Sequence, residues 1–207
     1  MIDLVKLKGL VSSHGKEFDA YCNLLLKWNK TYNLTAIKNK PEIFERHFLD
    51  SISPLPFIPK LSNLLDIGSG GGFPAIPLKI CEPSLKITLL DSNRKKINFC
   101  ESLCIELGLM DVSYQYKRIE EYIQPELKFD VIISRATFSV SKLIQSSALL
   151  LKNKDSLIIA MKGLNFSKEL NEAAHIIKKR NIKLLNTEKY TLPSSKLSHA
   201  LLIFTQS

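Results

Sequence analysis

The sequence predicts a doubly wound, mainly parallel α/β sheet with an antiparallel edge strand, preceded by a segment of helices. Three observations carry that expectation. After about the sixtieth residue, short apolar runs alternate with helical stretches, the rhythm of a parallel sheet covered on both faces. A glycine-rich turn follows the first of those runs directly. A rigid joint, Pro54-Leu55-Pro56-Phe57-Ile58-Pro59, separates this region from an all-helical start.

In chain order, Phe18, Tyr21, Cys22, Leu25 and Trp28 recur at the spacing of one buried helical stripe. A second helix is expected through Ile43–Leu49, with Pro41 near its start. Residues 1–60 thus read as a helical segment packed on the core, and 61–207 as the main domain. Buried strands are expected at Leu64–Ile67, Ile87–Leu90, Val112–Tyr116, Val131–Ile133 and Leu157–Ala160. Helices belong near 75–81, 94–107 and 141–151, and Gly108 is a natural end for the second. Lys168–Arg180 gives a further helix. Lys183–Thr191 and Ala200–Thr205 flank the loop Pro193-Ser194-Ser195-Lys196 and read as an antiparallel hairpin at the sheet edge.

Composition narrows the class. The chain has 207 residues, 45% of them hydrophobic, enough for a substantial core. Lys and Arg number 29 against 20 Asp and Glu, a formal charge of +9 that suits a polyanionic partner. Cysteines at 22, 81, 100 and 104 form no CxxC pair and no clustered ligand spacing, so neither a disulfide framework nor a metal site is expected. The N-terminus lacks the basic-then-apolar pattern of a signal peptide, and no apolar run is long enough to span a bilayer. A cytoplasmic protein without a membrane partner is therefore expected.

The sharpest chemical signal is Asp66-Ile67-Gly68-Ser69-Gly70-Gly71-Gly72-Phe73-Pro74, placed between the first strand and the helix that follows. Glycines there let backbone approach a ligand where side chains would block it. In open sheets that turn lies at the carboxyl edge, where ligands bind. A phosphate-binding loop needs Lys and Ser or Thr after the glycines, and Phe73-Pro74 stand there instead. Pro74 and Pro77 also leave fewer N–H donors for a pyrophosphate. A cofactor without phosphates fits better, and the pattern Asp-x-Gly-x-Gly-x-Gly resembles the first motif of class I S-adenosylmethionine methyltransferases, which have a Rossmann-like fold. Gly68 and Gly70 are the candidate backbone contacts. Asp91, which closes the second strand, can accept hydrogen bonds from both ribose hydroxyls of an adenosine; capping the next helix is its alternative task. Arg94, Lys95 and Lys96 open that helix at the same sheet edge, where RNA phosphates can meet them.

Further pieces carry a closer resemblance. Asn33-Leu34-Thr35, Arg46-His47-Phe48-Leu49-Asp50-Ser51, the glycine turn running into Phe73-Pro74-x-Ile76-Pro77-Leu78, and Leu89-Leu90-Asp91-Ser92 come in a family-like order. Arg118-Ile119-Glu120-Glu121, Ile133-Ser134-Arg135-Ala136 and Met161-Lys162-Gly163 continue it. From about residue 20 to 205 the sequence resembles the bacterial 16S ribosomal RNA guanine-N7 methyltransferases, also called glucose-inhibited division protein B. Many relatives carry Leu in place of Phe73 and Pro in place of Gly71. The resemblance implies S-adenosyl-L-methionine as cofactor, contacted at Gly68, Phe73, Ile119, Glu120 and Arg135. It implies 16S ribosomal RNA, or the small ribosomal subunit, as partner. Arg46, His47 and Lys162 join Arg94 and Lys95 as candidate RNA contacts.

The expected mechanism needs no catalytic acid or base. A guanine N7 already offers a lone pair, so alignment with the methyl donor and electrostatics would do most of the work. Arg135 and His47 are the possible helpers. Ser134-Arg135-Ala136-Thr137 lacks the amine-accepting loop of exocyclic-amine methyltransferases, and no cysteine nucleophile stands near the ends of strands four or five. Two other readings stay open at this point: methyl transfer to a small molecule or protein, and a non-enzymatic nucleotide-binding regulator.

Overall fold

A computed structural model describes residues 2–207. The chain starts with α1 (Leu4–Ser13) and α2 (Gly15–Tyr32). Asp3 caps α1 by accepting the N–H of Lys6, and the left-handed Asn33 ends α2. The expected stripe is buried: Phe18, Tyr21, Cys22 and Leu25 are sealed from solvent, and Trp28 packs at their margin.

The second expected helix is present but changes form. A short helix, α3 (Lys40–Ile43), is capped by Asn39 and runs into a π-helical turn over Phe44–Leu49. There the Asp50 N–H reaches back five residues to the Glu45 carbonyl. Wide turns of this kind often mark functional positions, and periodicity alone does not distinguish them from α-helix. The proline-rich joint contains a 3-10 turn, Leu55–Phe57.

Next come β1 (Asn63–Ile67), α4 (Ala75–Cys81), β2 (Lys86–Asp91), α5 (Arg94–Glu106) and β3 (Val112–Tyr116). They are followed by α6 (Ile119–Tyr122), β4 (Val131–Arg135), α7 (Val140–Ser147) and β5 (Leu157–Gly163). The last elements are α8 (Phe166–Lys179), β6 (Ile182–Thr191) and β7 (Ser198–Gln206). The seven strands lie in the order β3-β2-β1-β4-β5-β7-β6. β1 to β5 pair in parallel, while β7 runs antiparallel to both neighbours. The expected hairpin therefore exists, with β6 outermost and a bulge between Leu184 and Asn186.

Boundaries move by a few residues. α8 starts two residues before the expected Lys168, because Phe166 is buried against the sheet and belongs to its apolar face. α7 ends at Ser147 and tightens into a 3-10 turn over Ala148–Leu150. The four-residue α6 had no expected counterpart, since so short an element shows no period.

Strand side chains divide by alternation between the two faces. Leu64, Ile87, Leu89, Val131, Ile133 and Ile159 join α2, α4 and α5 in one buried cluster. Leu65, Ile67, Leu90, Ile132, Ile158 and Ala160 join α6, α7 and α8 in the other. Each large apolar side chain removed from water contributes roughly 1.5–3 kcal/mol. The sequence reversal between β1 and β4 opens the carboxyl edge of the sheet, and the site lies there.

Candidate active site

The glycine turn is built from backbone. The Gly68 and Ser69 N–H groups both donate to the Leu90 carbonyl, at 2.7 and 3.1 Å. Gly68 has φ +77°, and a Cβ there would lie 2.5 Å from Thr137 Cγ2, so neither the conformation nor the space admits a side chain. The Gly72 and Phe73 N–H groups bond back to Ser69, which leads the chain into α4.

Asp91 organises the turn from the neighbouring strand. Its carboxylate accepts the Gly70 N–H at 2.9 Å and the Asn93 N–H at 2.8 Å, one on each oxygen. A carboxylate has about four acceptor positions, so capacity is left for a ligand. The side chain that caps α5 is Asn93, accepting the Lys95 N–H; Asp91 orders the residues just before it. Asp66 lies deeper. Its Oδ2 accepts the Ala75 N–H at 3.2 Å, and its Oδ1 is buried without a hydrogen-bond partner among the described residues. Burial, followed by the charge of Asp91, pushes the Asp66 carboxyl well above the ordinary range.

Beside the turn lies a cleft of about 310 Å³. That is near the lower end for ligand clefts, roughly 300–1,000 Å³. Gly68, Asp91, Ile119 and Glu120, all expected to contact a cofactor, line it together. So do Leu90, Thr137 and Phe138, and the cations Lys96, Lys117, Arg118 and Lys142. Glu120 and Lys142 form an exposed ion pair at 3.2 Å. The Glu120 carboxyl is held below its usual range by its own backbone N–H first and Lys142 second. Apolar walls from Leu90, Ile119 and Phe138, a carboxylate with spare acceptors, and closely approaching backbone make a donor set that fits an adenosine. Most lining residues absent from the expected set follow one rule. Lys142 stands in the first turn of α7, as Lys96, already expected at this edge, does in α5; Lys117 and Arg118 follow β3, and Thr137 and Phe138 follow β4, all at the carboxyl edge.

Phe73 and Arg135 lie on the other side of the turn. Phe73 is only 8% exposed and stacks between the rings of Tyr21 and His47, with centroids 5.4 and 4.5 Å away. Arg135 lies over it, its guanidinium carbon 5.7 Å from the ring centroid. Its Nε pairs with Asp50 Oδ2 at 2.8 Å, and its Nη2 donates to the Arg46 carbonyl. Arg135 is thus a fixed cation at the end of β4, in the structural ion pair that an arginine at such a position also suits.

Two candidate RNA contacts take other tasks. The Lys162 side chain is 9% exposed, and its ammonium is committed to Glu169 at 2.7 Å and to the Phe138 carbonyl. It ties β5 to α8 and the loop after β4 and does not face solvent as a phosphate contact needs. His47 is neutral: burial, then the charges of Arg135 and Arg46, push its imidazole down to about 3. Arg135 Nη1, a donor only, lies 3.4 Å from Nδ1, so Nδ1 accepts and Nε2 carries the proton toward Thr35 Oγ1 at 2.7 Å. A neutral, doubly engaged imidazole offers a phosphate no charge. Arg94 and Lys95 are exposed at the start of α5, with Lys95 5.5 Å from the Tyr32 ring centroid. Arg46 is partly exposed and pairs with Glu42 at 2.9 Å.

The family model described as GidB, rRNA small subunit methyltransferase G, matches residues 14–198. The chain belongs to this family. Among curated relatives, the ribosomal RNA small subunit methyltransferase G of Lactococcus lactis subsp. lactis is 38% identical over 194 residues, covering 91% of this chain and 81% of the relative. Its counterpart from Geobacillus kaustophilus is 39% identical over 183 residues, covering 86% and 76%. That from Chromobacterium violaceum is 45% identical over 144 residues, covering 70% and 68%. Among solved structures, a SAM-dependent methyltransferase from Aquifex aeolicus superposes with TM-score 0.60 at 18% identity, covering 80% of this chain and 94% of that one. A ribosomal protein L11 methylase from Lactobacillus delbrueckii subsp. bulgaricus gives TM-score 0.60 at 15% identity, covering 78% and 79%. At such identities the GidB-family chain shares with these two structures its fold alone.

Proposed function

We propose that the protein transfers the methyl group of S-adenosylmethionine to N7 of a guanine in 16S ribosomal RNA, in free RNA or in the small ribosomal subunit. The observation that carries this reading is a single cleft at the carboxyl edge, where a carboxylate and apolar walls suited to an adenosine meet a rim of four cations. Membership of the GidB family supports the reaction class.

Asp91 holds the ribose hydroxyls, and Ile119 and Phe138 cover the adenine ring. The exposed Glu120 reads its edge. Gly68 and Gly70 bring backbone against the remainder of the cofactor. When bound, S-adenosylmethionine supplies an electrophilic methyl group on a sulfonium centre. The guanine ring nitrogen brings its own lone pair, so the chain has no proton to remove. Its residues orient both partners and exclude water. The neutral His47 fits this division, because it fixes the Arg135 side of the turn and carries no charge. Arg135 supplies a fixed positive charge at the end of β4.

The rim cations Lys96, Lys117 and Arg118, with Arg94, Lys95 and Arg46, grip RNA phosphates, and the target base reaches the cleft from a loop or by flipping. Among the described residues no helix is long and apolar enough to cross a membrane, and we place the reaction in the cytoplasm, where the ribosome is assembled.

The test uses S-adenosylmethionine labelled on its methyl group and small subunits from cells lacking the protein, with normal subunits as the already modified control. Label entering only the unmodified subunits, and recovered as 7-methylguanosine, is the expected outcome. No label in RNA while cofactor binding persists would discard the ribosomal reading.

A further inference from the structure

One buried carboxylate lies outside the cleft. Asp50 is sealed from solvent just after the π turn, and its carboxylate is shared among separate parts of the fold. Oδ2 pairs with Arg135 Nε at 2.8 Å. Oδ1 accepts the Tyr190 hydroxyl at 2.7 Å and lies 3.1 Å from His199 Nδ1. Tyr190 is on β6 and His199 on β7, directly paired in the hairpin register. The Tyr190 hydroxyl also accepts from Ser53 Oγ at 2.9 Å, which leaves its own hydrogen for Asp50.

A sealed carboxylate is a poor source of stability, because a well-packed apolar group of the same size often serves as well. What it does supply is direction. Arg135 is held by this charge contact at Nε and by the hydrogen bond from Nη2 to the Arg46 carbonyl, which together fix where its planar fork lies. The same carboxylate is anchored by two side chains of the distant hairpin, so the orientation of Arg135 depends on that hairpin being in place.

We propose that Asp50 is a positioning residue for methyl transfer: it sets the Arg135 guanidinium at the end of β4 and ties that setting to the β6–β7 hairpin through Tyr190 and His199. The proposal rests on the reading of Arg135 as a residue of the methyl-transfer site.

The test is a mutant cycle on the full-length protein, with labelled methyl transfer to unmodified small subunits giving kcat and cofactor KM. Asp50→Asn is expected to lower kcat/KM by roughly tenfold or more in the native background and to add almost nothing to Arg135→Gln, as residues acting as one unit do. A purely structural role would make the two losses multiply, and that result overturns the proposal. So does an Arg135→Gln protein with unchanged transfer. If Asp50→Asn fails to fold, Tyr190→Phe carries the same test, because it removes one anchor and keeps the ion pair. It should lower transfer alone and not in the Arg135→Gln background. A wild-type protein that transfers no label removes the functional reading itself, whereas an active wild type with multiplying losses removes only the role of Asp50.

Discussion

The Tyr21 hydroxyl donates to the carbonyl oxygen of Gly71, fifty residues further along the chain, and its ring lies within 4° of parallel to that of Phe73. One side chain of α2 thus supports the glycine turn from the face opposite the cleft. Tyr21→Phe keeps the stacking and removes the donor. It should cost about 1–3 kcal/mol, the penalty for leaving a buried carbonyl without its partner. Urea unfolding measures this, and a cost near zero would mean that packing alone supports the turn.

Gly68→Ala should be more damaging. Alanine at φ +77° costs roughly 1–2 kcal/mol in backbone strain, and its Cβ meets the Thr137 side chain at 2.5 Å. Cofactor binding should be lost as the turn shifts. Thr137→Gly in the same protein should restore part of the stability, leaving the strain of φ behind. Thermal unfolding of the single and double variants separates the steric share from the conformational one.

Asp91→Asn replaces one carboxylate oxygen by an amide nitrogen that cannot accept. Both present oxygens receive backbone N–H groups, so the turn and the ribose contact weaken together. Affinity for S-adenosylhomocysteine should fall by about 1.5–3 kcal/mol, the range for hydrogen bonds to charged groups. Titration calorimetry gives the value, and unchanged affinity would remove Asp91 from the site.

His47 sets a pH dependence whose sign follows from its depressed titration. The unfolded imidazole takes a proton near its ordinary 6.5, whereas the folded one resists until about 3. Stability from this residue is therefore complete above 6.5 and lost as the pH falls from there toward 3, at up to about 1.4 kcal/mol per pH unit. His47→Gln can still accept from Arg135 and donate to Thr35. The stability difference between wild type and variant, followed by urea unfolding, should narrow or reverse on acidification from pH 7 to 4.5. A constant difference would show that His47 is not the group responsible.

Neutralising Lys96, Lys117 and Arg118 to Gln should weaken RNA binding more at low salt than at high salt. Where the bound RNA is single-stranded, the slope of log affinity against log salt should become shallower by roughly 0.7 for each phosphate that is no longer neutralised. Filter binding across a salt series reads it directly. An unchanged slope would place the RNA elsewhere on the surface.

Much of this arrangement was legible in the residues. The alternating apolar runs located the strands, and the glycine turn with Asp91 located the carboxyl edge, because both depend on local pattern. The tasks of His47 and Lys162 were not legible. Each is committed to partners that no local pattern reveals, Arg135 for the first and both Glu169 and the Phe138 carbonyl for the second. The rim residues Lys117, Arg118 and Lys142 were hidden for a related reason: they are ordinary surface cations until the ends of β1 to β4 are brought side by side.

The position of β7 between β5 and the outermost β6 has a consequence for synthesis. β5 receives its outer neighbour only when residues 198–206 have been made, and the partners of Asp50 at Tyr190 and His199 arrive at nearly the same time. A growing chain can therefore assemble the cleft walls from β1, β2 and β4 while the Arg135 side of the turn still lacks the hairpin's two links to Asp50. The order of the chain thus places the residues of the cleft walls ahead of the two that reach Asp50 from the hairpin.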